Sequence, residues 1–264
     1  MWAGLGAENA PRAMVTLVHI SDLHCGEAPS ARLGPALDAI NGLSPDCIVV
    51  TGDITHSGRR REFQTAAAFF AAIKAPIVGA PGNHDAPVFD PLQRVFAPFA
   101  RYEALGLRQA WDSECGLVGV RAFNSARAVQ TRADWSQGVY CRTELHSLSL
   151  SFDAKTRHRL IACHHPPHAP RHALMRIETR GAEAALAALS EPHLLLCGHL
   201  HRSADFSAFG RSHIEVSTAP TLASLRERGQ KPGFRVMRFG ETRKSEDWLW
   251  DGARYHPVVA SAAA

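Results

Sequence analysis

Short apolar runs punctuate the chain at intervals that suit buried strands alternating with helices. Val15-Thr16-Leu17-Val18-His19-Ile20, Asp46-Cys47-Ile48-Val49-Val50, Pro76-Ile77-Val78-Gly79, residues 158–163 and Leu194-Leu195-Leu196-Cys197 are aliphatic or β-branched and bounded by Gly, Pro or polar residues. That is the mark of strands covered on both faces. Between them, residues 31–43 and 59–73 carry apolar side chains at helical spacing, with Phe63, Ala67, Phe70 and Ile73 along one face. Residues 178–189 read as an alanine-rich helix, 87–102 as helical and loop-rich, and 116–123 as a strand. Past His201 the pattern turns to strands at 204–209, 212–217, 233–239 and 247–250, with a turn at Gly210-Arg211. The pattern predicts an α/β protein of two stacked mixed sheets flanked by helices, with the last run of strands forming the second sheet.

Each of the five buried runs is followed by a polar cluster. These are Asp22-Leu23-His24, Gly52-Asp53, Gly82-Asn83-His84-Asp85, His164-His165-Pro166-Pro167 and Gly198-His199-Leu200-His201. The carboxyl edge of an α/β sheet is where loops held by rigid strands converge on a ligand. Carboxylate, amide and imidazole donors suit Zn, Mn or Fe better than Ca or Mg, which favour all-oxygen shells. Seven such side chains are too many for one ion. An Asp after a strand is ordinarily a helix N-cap, but the company of the other clusters favours ligation for Asp22 and Asp53.

Taken in order, the clusters resemble the D-x-H, G-D, G-N-H-[DE], H and G-H-x-H pattern of the calcineurin-like metallophosphoesterase superfamily, over Val15 to about Ser217. The resemblance implies that family's four-layer fold and two divalent ions (Fe, Mn or Zn). It places Asp22, His24 and His201 on one ion and Asn83, His164 and His199 on the other, with Asp53 bridging them. A hydroxide bridging such a pair would attack phosphorus in line. His84 would protonate the departing oxygen and Asp85 would orient its ring. Of the histidine pair, His164 is the expected ligand and His165 a hydrogen-bonding neighbour.

Details narrow the branch. Gly52-Asp53-Ile54-Thr55-His56-Ser57-Gly58 lacks the Asp-Arg-Gly run of the serine/threonine phosphatases, and His84 stands where lipid A precursor pyrophosphatases have Arg. Gly-Asn-His-Asp combined with His-His-Pro-Pro most resembles the bacterial class III cyclic-nucleotide phosphodiesterases and glycerophosphodiesterases. The implied activity is hydrolysis of small phosphodiesters, with a cyclic nucleotide such as cAMP foremost. A glycerophosphodiester or phospholipid-headgroup hydrolase and a phosphomonoesterase share the same core. A non-catalytic metal-binding scaffold is the reading from another class, and the full donor set with His84 argues against it.

Substrate contacts are expected from Asn83 and His84, from His56 at the rim, and from Arg127 after the 116–123 strand. Residues 85–163 hold no metal-ligand motif, and the resemblance implies that they include the substrate-selecting cap region. Their arginines, Arg94, Arg101, Arg121, Arg127 and Arg132, are scattered, which favours diesters over the more highly charged monoesters. His168 and His172 are expected to face water. One domain over 14–264 accounts for the length, with 1–13 an extension and 258–264 a frayed tail. A net charge of +4, dispersed along the chain, suits anionic small molecules and not a stable nucleic-acid complex. Six scattered cysteines fit a reducing compartment. No apolar stretch reaches a membrane span and the first residues do not read as a secretion signal, so a cytoplasmic location is expected; homo-oligomerisation stays open.

Overall fold

Alternation along β1 (Val15–Ile20) sets up the layers of the molecule. Val15 and Leu17 point into one apolar core, while Val18 and Ile20 point into another on the opposite face. In β2 (Cys47–Thr51) the same division separates Cys47 and Val49 from Ile48 and Val50. A strand buried on both faces lies in the middle of a layered α/β domain. The structure is a computed structural model and describes residues 14–131, 134–170 and 176–258. The expectations for residues 1–13 and 259–264, for Arg132 and for His172 fall outside these.

The first sheet adds β3 (Ile77–Ala80), β10 (Gly233–Phe239), β11 (Arg243–Trp250) and β12 (Tyr255–Val258), in the order β12-β11-β10-β1-β2-β3. Its three early strands are parallel, with Leu17 opposite Cys47 and Ile48 opposite Ile77, and β10 runs antiparallel to β1 with Val15 opposite Phe239. The second sheet contains β4 (Ala110–Asp112), β5 (Val118–Ala122), β6 (His158–Ala162), β7 (His193–Cys197), β8 (Ala204–Ala208) and β9 (Arg211–Thr218), in the order β4-β5-β6-β7-β9-β8. Between the sheets, Leu17, Val49 and Val78 pack with Val120, Leu160 and Leu196. Helices α1 (Ser30–Gly42) and α2 (Arg60–Ala71) cover the outer face of the first sheet through Ile40, Phe63, Phe69 and Phe70. The short helices α3 (Pro91–Phe96) and α4 (Ala100–Glu103) follow. Helices α5 (Arg142–Leu150) and α6 (Ala182–Leu186) cover the second sheet through Leu145, Ala185 and Leu186.

The four layers are those expected, with two corrections. The strands after His201 do not make a sheet of their own. β9 extends the second sheet alongside β7, and β10 to β12 extend the first alongside β1. Each set of parallel strands would otherwise expose an edge, and apolar β9 (Ile214, Val216) and β10 (Phe234, Val236) each satisfy one. Residues 85–163, expected to include the cap region, also supply β4, β5 and β6 to the scaffold. The helix read over 178–189 shrinks to α6, because residues 176–181 are held to the 137–140 and 166–168 segments by hydrogen bonds and bridges.

Arg235 ties the two sheets together. Its guanidinium lies 2.8 Å from Asp205 of β8, 2.9 Å from Asp247 of β11 and 2.8 Å from the Ser217 hydroxyl of β9. Among the described residues no helix is long and apolar enough to cross a membrane.

Candidate metal centre

The donors sit where strands end and the backbone turns sharply. Asp22, His24, Asp53, His199 and His201 all take left-handed φ values, between 48° and 67°. For residues other than glycine this conformation is unfavourable and persists only where the surroundings hold it. Here the holding groups are backbone hydrogen bonds that carry the pairing of β1 and β2 beyond the strands. The Asp22 N–H donates to Gly52, His24 to Asp53 and Cys25 to Ile54, all at 2.9–3.0 Å. The second sheet is stitched on by the His199 N–H donating to Asp22 Oδ2 at 3.0 Å, and within that sheet Gly198 donates to the His164 carbonyl at 2.9 Å. Gly198 is required by close approach, since a Cβ there would fall on the Ser21 hydroxyl. Neither Asp22 nor Asp53 caps a helix, as α1 begins after Pro29 and α2 after Arg59.

Two buried donor groups result. In one, His201 Nε2 lies 3.1 Å from Asp22 Oδ1 and 3.2 Å from His24 Nε2. In the other, His164 Nε2 lies 3.1 Å from His199 Nδ1 and 3.2 Å from Asp53 Oδ2. Asp53 Oδ2 is also 3.9 Å from His24 Nε2, so this carboxylate stands between the groups. Donors each about 2.0–2.2 Å from a common ion are spaced in this range.

The protonation pattern also suits a cation. His164 Nδ1 donates to the Thr51 carbonyl at 2.7 Å and His201 Nδ1 to the Arg226 carbonyl at 2.9 Å. In the neutral rings each Nε2 therefore presents a lone pair to its neighbours. Lone pairs facing one another at 3.1–3.2 Å repel unless a cation lies between them. Asp22 Oδ1 and Asn83 Oδ1 are buried without a hydrogen-bond partner, which is costly for groups not engaged by a ligand. The residues therefore fit a divalent metal pair.

Burial pushes His24 down to about 4 and His199 down to about 3, keeping both rings neutral and able to ligate. It pushes the Asp22 and Asp53 carboxyls up, but His201 beside the first and His164 beside the second outweigh it, so both lie below the usual carboxylate range. Burial lowers His164 too, yet Asp53 raises it to about 10: without an ion, a proton on this ring is held by the same carboxylates.

The neighbours divide into those expected and those not. His165 uses both ring nitrogens on Ser125 Oγ at 2.9 Å and the Ser136 carbonyl at 2.8 Å, a bracing role as anticipated. His84 stands at the mouth of the centre, its ring edge-on to His24 at 5.0 Å and stacked on His56 at 5.6 Å. His56 is thus at the rim. Its carbonyl, not Asp85, orients the His84 ring: His84 Nδ1 donates to it at 2.7 Å.

Asp85 requires correction. Its carboxylate accepts from the Gly82 N–H at 2.9 Å, and from the Thr55 N–H and hydroxyl at 2.9 and 3.0 Å. It fastens the Asp53–His56 loop to the turn bearing Asn83. Burial, and then the charge of Asp53, push its carboxyl up to about 6. Arg127 donates to the Asn124 and Ala126 carbonyls of its own loop, both at 2.8 Å. His168, expected in water, hydrogen-bonds through both ring nitrogens to Ala169 and Phe209.

One part of the site was not read from the sequence. Residues 224–230, between β9 and β10, carry Arg226 and Arg228 against the backs of His201 and His199. The only signal is the charged string Arg226-Glu227-Arg228, which matches none of the five ligand clusters.

Residues 15–203 match the family model for calcineurin-like phosphoesterases. A probable cyclic nucleotide phosphodiesterase of Rhodopseudomonas palustris is 30% identical over 193 residues, covering 67% of this chain and 65% of that one. A glycerophosphodiester phosphodiesterase of Enterobacter lignolyticus is 36% identical over 80 residues, 26% of this chain and 29% of the relative. The match thus spans just under two thirds of the first relative and under a third of the second. A 3′,5′-cyclic adenosine monophosphate phosphodiesterase of Escherichia coli K12 is 28% identical with 96% of each chain covered. Among solved structures, a dimetal phosphatase from Danio rerio superposes with a TM-score of 0.64 at 15% identity, covering 94% of this chain and 99% of that one. A purple acid phosphatase from yellow lupin gives 0.63 at 11% identity, covering 93% and 53%. These two likenesses show the shared fold.

Proposed function

Because the chain belongs to the calcineurin-like phosphoesterase family, we propose that it is a phosphodiesterase for small substrates, working with two divalent metal ions. Asp22, His24 and His201 would hold one ion and Asn83, His164 and His199 the other, with Asp53 shared. The observation that carries this reading is Asp53 itself, whose Oδ2 stands 3.2 Å from His164 Nε2 and 3.9 Å from His24 Nε2, between the two donor groups. Ions bound there supply Lewis acidity and a water ionisable near neutral pH.

The chain's own residues supply the rest. Asp53 Oδ1 accepts the His84 N–H at 2.8 Å, which locks the shared ligand and the acid to one another. With Nδ1–H committed to the His56 carbonyl, His84 acts as the imidazolium, which delivers its second proton from Nε2 to the departing alkoxide and is left as the neutral ring. The Asn83 amide can offer its oxygen to an ion and its NH₂ to a phosphate oxygen. Cyclic nucleotides are the first substrates to examine, since relatives that cover most of their own length here carry that activity in their names.

The test is substrate preference of the Mn²⁺-reconstituted protein at neutral pH. Higher kcat/KM for bis-nitrophenyl phosphate and a 3′,5′-cyclic nucleotide than for nitrophenyl phosphate is expected; a clear preference for the monoester overturns the diesterase reading.

A further inference from the structure

Helix α3 turns its apolar side to solvent. Leu92, Val95 and Phe96 stand three and four residues apart on one face, and with Phe89 just ahead of them they are 60–81% exposed. The helix buries no residue, and polar contacts hold it in place instead. Asp90 accepts from the Gln93 N–H and from Arg101, both at 3.0 Å, while Arg94 donates to the Pro87 carbonyl at 2.9 Å and to the Ala128 carbonyl at 2.8 Å. The face continues past the helix. Arg94 lies over the ring of Trp135, 5.2 Å from its centroid, and Trp135 and Val129 are 40% and 51% exposed. On the other side Arg59 lies 4.3 Å over the ring of Phe89, and the Val88 N–H donates to the Ser57 carbonyl at 3.1 Å, next to His56. The apolar face therefore borders the mouth of the metal centre.

We propose that this face is the contact of a two-fold symmetric homodimer, each copy laying its α3 and Trp135 against those of the other. Singly exposed apolar residues need no explanation, but a continuous row of them does. Six residues of this size, open to this extent, present on the order of 800 Å², the share of one partner in a standard interface and more than the about 300–600 Å² of the largest patch on an ordinary monomer. The composition agrees. Phe and Trp rings with arginines stacked on them are the make-up of interface centres. The surrounding charges carry both signs, Arg59, Arg60 and Arg61 on one side and Asp90 and Asp134 on the other. A surface that pairs with a second copy of itself needs both signs, whereas an anionic bilayer would be met by cations alone.

Sedimentation velocity of the full chain across micromolar concentrations should show a dimer. The double variant Leu92→Glu/Phe96→Glu should weaken association by at least about 100-fold, with the circular dichroism spectrum and Tm unchanged, because both side chains project into solvent. Leu92→Met/Phe96→Leu keeps the face apolar and should stay dimeric. A wild-type protein that is monomeric at these concentrations overturns the proposal. So does a dimer that Leu92→Glu/Phe96→Glu leaves intact, since the copies would then meet elsewhere. Co-sedimentation with vesicles of phosphatidylcholine and phosphatidylglycerol is measured on the same samples: a monomer whose vesicle binding is lost in Leu92→Glu/Phe96→Glu would assign the face to a membrane surface and equally overturn the homodimer.

Discussion

Asp53 turns one carboxylate oxygen to the His84 backbone and the other to His164 and His24. Asp53→Ala should therefore cost the protein at least one bound ion and nearly all activity, while the circular dichroism spectrum stays native, since no strand is touched. Full metal content in that variant would falsify the shared-ligand assignment. In His84→Ala both ions should remain and poor leaving groups should slow by about 10²–10⁴-fold, with nitrophenolate esters affected far less; equal losses would assign His84 to positioning. Asp85→Asn behaves differently. It replaces an acceptor of three hydrogen bonds with a group that presents donors to donors, so thermal unfolding should show a loss of about 1–3 kcal/mol and both leaving-group classes should slow alike. A selective effect on poor leaving groups would restore Asp85 as the orienting partner of His84. The donors were legible because each is a ligand type placed directly after a buried run. The role of Asp85 was not, because its partners Thr55 and Gly82 are chosen by how two loops meet, and adjacency to His84 points the wrong way.

At the scale of elements, strand positions followed from apolar runs to within a residue or two, except that β11 starts four residues ahead of the 247–250 run, but their allocation to sheets did not follow. β9 and β10 are similar in pattern and end in different sheets because each covers a different open edge, a tertiary choice invisible in local sequence. β4 has three residues, and β12 carries Pro257 at a sheet edge, so neither presents a strand signal. The join between sheets at Arg235 yields a pH prediction. Burial pushes the Asp205 carboxyl up, and the hydrogen bond and charge of Arg235 outweigh it, so the folded pKa lies below the usual value. A depressed carboxyl stabilises the fold above its unfolded pKa of about 3.9 and loses that contribution as pH falls through the folded value. Asp205→Asn should accordingly lower Tm at pH 7 and flatten its decline below about pH 4. Parallel Tm curves for the two proteins from pH 7 to pH 3 would refute this.

In the whole molecule, two sheets meet so that their carboxyl edges deliver Asp22, His24, Asp53 and Asn83 from one side and His164, His199 and His201 from the other. Neither sheet holds a complete pair of sites alone, so the apolar layer between them, from Leu17 and Val49 to Leu160 and Leu196, positions the chemistry as well as stabilising the fold. Residues 224–230 span this junction, touching Arg32 on one side and His199 and His201 on the other. The most direct test of the account is the number of ions bound per chain as Mn²⁺ is added to chelator-treated protein, followed together with diesterase activity. Two ions per chain are predicted, with full activity appearing only as the second site fills. Full activity with one ion per chain, or none, would contradict the two-metal centre.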